Sequence, residues 1–472
     1  MKTRRKRLSG VSDDILDPTS EMLALSATGD TKNVLICLLE LTGPMDVETM
    51  LEAARIAARK FPHLTHRIKE IRSNGLHYLV WDTDHTWDVP TFFEEMTEFD
   101  AHEQLLDQII KLLSPRLDRH WDLFSESSAE FHLIRISSER YVEGWLMHHV
   151  AGDAATGTDV GQETLAQYHE LFYGIKPEWA EEYHSISGSK KKRVTVKKLT
   201  FRNTVEDVKQ TIQNLFKRAC LPVGSGSKTD ESQHHIKRVL SEEQSEFLST
   251  VTRKQGVSFI DRLVVAGNAV IDEWNLKRGL RPGVLTTSMT VNTRGRFSDV
   301  GVINSSSLIF FKSLPLDRKN TRNFTKQVGL ARIRHFRNQT DRKYFNNVKR
   351  MIDSFRVFPF RIRKKIISFL INRHEFSIGI TLLGAFWPKM VNGRPTGGSV
   401  LTRVGDLKVE EVFGVAHRML SKTRVLLVVY IFRNRLNFVL TCSSAVFTRE
   451  ESDQFMDLLL KNLMASEMFP DH

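Results

Sequence analysis

Cysteine is scarce in this chain of 472 residues: Cys37, Cys220 and Cys442 lie far apart, and none stands in a paired metal-ligand spacing. That excludes a disulfide framework and a cysteine zinc site, and it fits a reducing compartment, the cytoplasm. Long apolar runs are missing as well. No stretch reaches the roughly 20 apolar residues needed to cross a bilayer, and the strongest, Val425 to Phe432, suits a buried strand. The opening Met1-Lys2-Thr3-Arg4-Arg5-Lys6-Arg7 has the charge of a signal peptide's start, but Asp13, Asp14 and Asp17 follow where such a peptide needs its apolar core. The expectation is a soluble or membrane-peripheral cytoplasmic protein. There is no G-x-S-x-G elbow, so Ser288, Ser305, Ser306 and Ser307, all in strand-like sequence, carry no nucleophile signature.

Positive charge, in contrast, is abundant and local. The net charge is +12. Between Thr321 and Arg373 fifteen Lys or Arg stand against Asp341 and Asp353 alone, an excess comparable with that of the whole chain. Within it, the run from Phe355 to Leu370 interleaves large apolar residues with cations. Such a pattern suits a helix lying on an anionic membrane or gripping a lipid-like substrate, and equally a half-buried helix with a solvated basic face. The same surface could dock the phosphates of coenzyme A or an acidic carrier protein. Charge alone would also admit nucleic acid, but no recognisable binding module accompanies it, which counts against that partner.

The length and the 41% hydrophobic content permit a large core and more than one domain. A basic polar leader, 1–22, precedes a first α+β unit over 23–188. There Asn33 to Leu41 reads as a strand, and Asp46 caps a helix that Pro62 stops. Two further strands, Glu130 to Ile136 and Tyr141 to Met147, are joined by a polar turn, and a helix is expected from Thr158 to Tyr173. Lys190-Lys191-Lys192-Arg193 and Gly224-Ser225-Gly226-Ser227 mark an exposed connection over 189–232. The second unit, 233–472, opens with the strand His235 to Leu240, then a helix for which Ser241 with Glu243 and Gln244 supplies capping chemistry. Strands at Val284–Val291, Ser306–Phe311, Ile378–Leu383, Thr423–Phe432 and Leu436–Cys442 and a last helix from Glu450 follow. The fold class is therefore α+β, in two halves of similar size.

Directly after the strand Tyr141 to Met147 stands His148-His149-Val150-Ala151-Gly152-Asp153. With the strand pair before it and the helix after it, this HHxxxD segment, Pro115 to Gly161, resembles the corresponding part of condensation domains, wax ester synthase/diacylglycerol acyltransferases and polyketide-associated acyltransferases. Phe61-Pro62-His63-Leu64-Thr65-His66-Arg67-Ile68 is similar to the end of that superfamily's first helix. The resemblance implies two chloramphenicol acetyltransferase-like subdomains, each a mixed sheet with flanking helices, forming a V with a central tunnel. It implies His149 as catalytic base, His148 beneath the loop, and Asp153 as a brace rather than a catalytic partner. The arginine for that brace would be Arg294, in Thr290-Val291-Asn292-Thr293-Arg294, and Asn292 and Thr381 would face the substrate. The sequence departs from the pattern at Ala154, where glycine is frequent beside the supporting Gly152. It departs again at Thr381-Leu382, where a Ser-Asn or Thr-Asn pair is usual, and it lacks the plant-type DFGWG signature.

The chemistry points the same way independently. A histidine with a pKa near 6.5 can take a proton from an acceptor hydroxyl or amine and return it to a departing thiolate. The expected activity is transfer of an acyl group from a coenzyme A or carrier-protein thioester to a hydroxyl or amine of a small-molecule or lipid-like acceptor, with no tightly bound cofactor. The alternative is a non-catalytic binding protein on the same fold. A metal site would need three well-placed ligands, and this loop alone supplies any, so none is expected. His234-His235 lacks an acid four residues after its second member and reads as ordinary strand surface.

Overall fold

The structure is a computed structural model that describes residues 14–27, 31–179, 219–230, 232–292, 304, 306–338, 340–371, 375–391, 394–399, 401–418 and 423–465. Its centre of gravity is the strand Val34–Thr42, whose sequence VLICLLELT is almost continuously apolar and almost fully buried. Such a run belongs inside a sheet covered on both faces. It pairs antiparallel with Arg140–His148 on one side and with Leu407–His417 on the other, so that Val34 lies opposite both His148 and His417. Ala129–Ser137 and Thr91–Glu95 extend the sheet past Arg140–His148, and Arg403–Val404 completes the opposite edge. The helices Val47–Arg59 and Ala154–Tyr173 pack on each other, and the second also packs on the central strand.

The second sheet runs Gln233–Val239, Arg435–Ser443, Val425–Phe432, Ile378–Ala385, Leu285–Asn292, Ser306–Ser313. Ile378–Ala385 is parallel to both of its neighbours and the other pairs are antiparallel. Its helices Glu242–Lys254, Phe259–Leu276 and Arg449–Met464 each begin with a reciprocal capping box, at Ser241/Gln244, Ser258/Asp261 and Thr448/Glu451. Each box satisfies two backbone donors that a helix start leaves without partners. The α+β class with two mixed sheets is as expected.

Three expectations about organisation change. The segment 233–472 is not self-contained, because Leu407–His417 becomes an inner strand of the first sheet while packing against Val425–Phe432 and Arg435–Ser443 of the second. Its sequence LKVEEVFGVAH mixes charged and apolar residues: its apolar positions are buried, and Glu411 stays partly exposed while pairing with the buried Lys237. The leader is not polar throughout 1–22: Ile15 bridges Val80, Leu16 is buried, and Pro18–Ser26 forms a helix capped by Asp17. The glycines of Gly224-Ser225-Gly226-Ser227 do not serve a flexible connection either. A side chain at Gly224 or Gly226 would run into the carbonyl oxygens of Val446 and Ser444, so the chain lies flat against the second body there. The basic run Lys190-Lys191-Lys192-Arg193 lies outside the described residues.

The basic segment forms the helices Thr321–Arg337, Thr340–Phe355 and Phe360–Ile371. Its cations are not all solvated. Arg356 and Arg363 are buried and both bind Glu21, which is fully buried on the helix Pro18–Ser26 (Arg356 Nη2 to Glu21 Oε2, 2.9 Å). Leu25, Val348, Ile352 and Ile367 form a small core around this junction. A carboxylate this deep persists only because two guanidinium groups share it, and removing either would leave buried charge uncompensated. The expected solvated basic face is thus partly a buried staple for the N-terminal helix.

Candidate active site

The strand Arg140–His148 ends at its pairing with Val34, and the chain turns at once: the Ala151 N–H donates to the His148 carbonyl at 3.0 Å. His149 is the first residue past the ladder, its N–H held by the Asn33 carbonyl at 2.7 Å. Asn33 has φ 53°, a left-handed conformation that asparagine tolerates better than most residues. Asp153 then caps the helix Ala154–Tyr173, its Oδ1 accepting from the Ala155 and Thr156 N–H groups at 3.1 and 3.2 Å. Ala154 is the first helical residue and has no left-handed φ, so the usual glycine is not needed at this position. Gly152 is needed, because a Cβ there would collide with the Thr156 side chain.

The two histidines part company. His148 is buried, and its Nδ1 accepts from the Val150 N–H at 3.2 Å. Its proton is therefore on Nε2, where it meets no hydrogen-bond partner. Burial, with the neighbouring His149, pushes its pKa down to about 3. His149 is half-buried, its remaining surface facing a cavity of about 550 Å³ between the two sheets. Desolvation lowers its pKa below 6.5, opposed chiefly by hydrogen bonds and by the charge of Asp153. At neutral pH the ring is accordingly uncharged.

A residue that sequence reasoning missed decides which ring nitrogen is basic. Asn304 Nδ2 donates to the His149 carbonyl at 2.8 Å and to Ser20 Oγ at 2.7 Å. A carbonyl can only accept, so this end of the amide is the NH₂ and the other end is the oxygen. That oxygen lies 2.9 Å from His149 Nδ1 and must accept from it. Nδ1 therefore carries the proton, and Nε2 is left with a free lone pair. Ser20 Oγ in turn lies 2.6 Å from Asp17 Oδ2, so the line of donors runs back to the cap of the N-terminal helix. Asn304 precedes the strand Ser306–Ser313 in an apolar stretch, where an asparagine reads as an ordinary strand entry. Only the meeting of three separate segments makes it an orienting group.

Both halves line the cavity. The helix Pro18–Ser26 contributes Thr19, Met22 and Leu23, and the second sheet contributes Ser288, Thr290 and Thr381. Thr381 is thus brought to the same space as His149. Thr290 Oγ1 and Thr381 Oγ1 lie 3.0 Å apart; one hydrogen joins them and the other is available to a ligand. The backbone of Asn292 pairs with Ser306 at the end of its strand. Arg294, the expected partner of Asp153, lies outside the described residues. The expectation that His234-His235 is strand surface is corrected in part: His235 is buried within the second sheet, with Nδ1 3.0 Å from Thr441 Oγ1.

No protein-family model matches this chain, and no curated protein does so. Solved structures do. The epimerization domain from the third module of tyrocidine synthetase B is 12% identical, with a TM-score of 0.61 over 97% of this chain and 98% of that one. The first condensation domain of the CDA synthetase is 13% identical, with a TM-score of 0.60 over 97% of each chain. TRI3 trichothecene 15-O-acetyltransferase from Fusarium sporotrichioides is 11% identical, with a TM-score of 0.61 over 96% of this chain and 95% of that one. The fold of this protein is that of condensation domains and chloramphenicol acetyltransferase-like acyltransferases.

Proposed function

We propose that this protein transfers an acyl group from a coenzyme A or carrier-protein thioester to a hydroxyl or amine, with His149 as general base. The observation that carries the reading is the Asn304–His149 pair. An uncharged imidazole, held with Nδ1 protonated, keeps Nε2 as its basic nitrogen, and His149 stands in the wall of a cavity that both halves of the molecule line. The cavity's size suits a small acceptor and the end of a thioester arm.

His149 Nε2 takes the proton from the acceptor as its oxygen or nitrogen bonds to the thioester carbonyl carbon. The carbonyl oxygen becomes an oxyanion, for which the spare hydroxyl hydrogen of the Thr290/Thr381 pair is the available donor. Collapse breaks the carbon–sulfur bond, and the departing thiolate recovers the proton from Nε2. Asn304 accepts from Nδ1 throughout and favours the transient imidazolium. No acyl-enzyme is required. Asp153 is a brace here, since its carboxylate is occupied by the helix N-terminus.

Purified wild type and His149→Ala are compared for thiol release from varied acyl-CoAs with hydroxyl and amine acceptors, and again with acylated carrier protein. The base accounts for roughly 100- to 10,000-fold of rate, so the variant should fall by that factor with an unchanged melting temperature. Equal background rates for both proteins with both donor classes would instead favour a binding protein without chemistry.

A further inference from the structure

The helix Phe360–Ile371 is anchored through its inner face. Its inner face buries Arg363 and Ile367 and donates from Ser368 Oγ to the Leu25 carbonyl at 2.9 Å. Its outer face, with the turn before it, presents large apolar side chains to solvent: Val357 is 57% exposed, Ile362 45% and Phe369 57%. Phe358 is exposed beside them, and Arg361 and Lys365 are the exposed residues interleaved with this ridge. Ile362, Lys365 and Phe369 recur at helical spacing on one strip, and Val357 and Phe358 stand in the turn that leads into it. The carboxylates nearby have other partners: Asp353 is engaged by Lys349 and Arg356, and Glu70 accepts from the Phe360 N–H and pairs with Arg363.

We propose that this strip docks on an anionic lipid surface. Aromatic and branched apolar side chains flanked by cations match the boundary between acyl chains and acidic headgroups. The ridge is the convex outside of a helix, which a fluid interface accommodates without a preformed groove. The anchored side of the same helix holds Pro18–Ser26 through Glu21 and Leu25, and that helix forms part of the cavity wall. Docking therefore leaves two helices between the lipid and the cavity, roughly 20 Å at about 10 Å for each. The proposal concerns a binding surface and stands apart from the acyl-transfer reading.

The test is flotation of the full chain with phosphatidylcholine vesicles, with and without phosphatidylserine. The wild type should float only with phosphatidylserine, and less as salt rises. Arg361→Ala/Lys365→Ala should lower the partition coefficient about 30-fold, which corresponds to roughly 1 kcal/mol for each basic side chain near such a surface. Val357→Ser/Ile362→Ser should also reduce flotation, and both variants should melt as the wild type does, because the changed residues are exposed. Three results would overturn the proposal: no flotation with phosphatidylserine, equal flotation on neutral vesicles, or wild-type flotation of both variants. Capture of an acidic carrier protein through Arg361 and Lys365 without vesicle binding would assign the strip to a protein partner instead.

Discussion

Two histidine pairs occur in this chain, each at a strand of a different sheet, and their fates diverge for reasons that lie outside the pairs. His148-His149 stands where a strand runs out. The first ring turns inward and the second, released from the ladder, reaches a cavity and meets Asn304. His234-His235 stands inside the strand Gln233–Val239, so both backbones are tied to Arg435–Ser443. His235 is buried there with Thr441, and burial, with the nearby His417, holds its pKa well below 6.5. Both inward-facing rings, His148 and His235, are uncharged. An uncharged buried histidine is thus common to both pairs and marks no chemistry; the distinguishing features are the end of the strand and the cavity that His149 lines.

The comparison breaks most visibly in paired substitutions. His149→Ala should abolish most activity and leave the melting temperature unchanged. His235→Ala should cost about 2 kcal/mol or more of stability, as large-to-small changes in cores do, and leave activity per folded molecule intact. If both substitutions lower stability and activity alike, the distinction between the pairs fails. Asn304→Leu is the next largest effect. It removes the acceptor on Nδ1 and frees the ring to adopt the other tautomer, so kcat should fall about 100-fold, the lower end of general-base catalysis. The same change removes an interaction that raises the His149 pKa. The acid limb of the pH–rate profile should therefore move further below 6.5, an effect that a merely structural asparagine would not produce.

A pH effect separates the two members of the first pair. His148 has a folded pKa of about 3 against an ordinary 6.5. Between those values the unfolded chain binds a proton that the folded one does not. Stability is complete above pH 6.5 and is lost as pH falls toward 3, with a slope of about 1.4 kcal/mol per pH unit for one such histidine. Urea unfolding of His148→Leu across this range should show a slope shallower by that amount; an unchanged slope would mean that His148 is not the buried neutral ring described here.

Much of this arrangement was legible in the sequence. The strand and helix around His149 have strong periodicity, and the capping boxes follow from local residue order, since a cap is made within four residues. Legibility ended where a residue's role depends on distant chain. Leu407–His417 has too mixed a pattern to reveal that it joins the other sheet, where the partly exposed Glu411 pairs with the buried Lys237. Pro18–Ser26 looks too polar for a buried helix until Arg356 and Arg363 supply partners for Glu21. Gly224 and Gly226 resemble a linker because sequence does not show Val446 and Ser444 against them. For Asn304, position in the sequence carries no signal of the ring it orients.

The account rests on which nitrogen of His149 holds the proton. Nitrogen-15 NMR of the histidine rings at neutral pH, assigned with His149→Ala, reads this directly. The predicted spectrum has His149 neutral with Nδ1 protonated and Nε2 bare, and this pattern is lost or inverted in Asn304→Leu. A His149 that carries its proton on Nε2 in the wild type would contradict the assignment of Asn304 and, with it, the base proposed for the reaction.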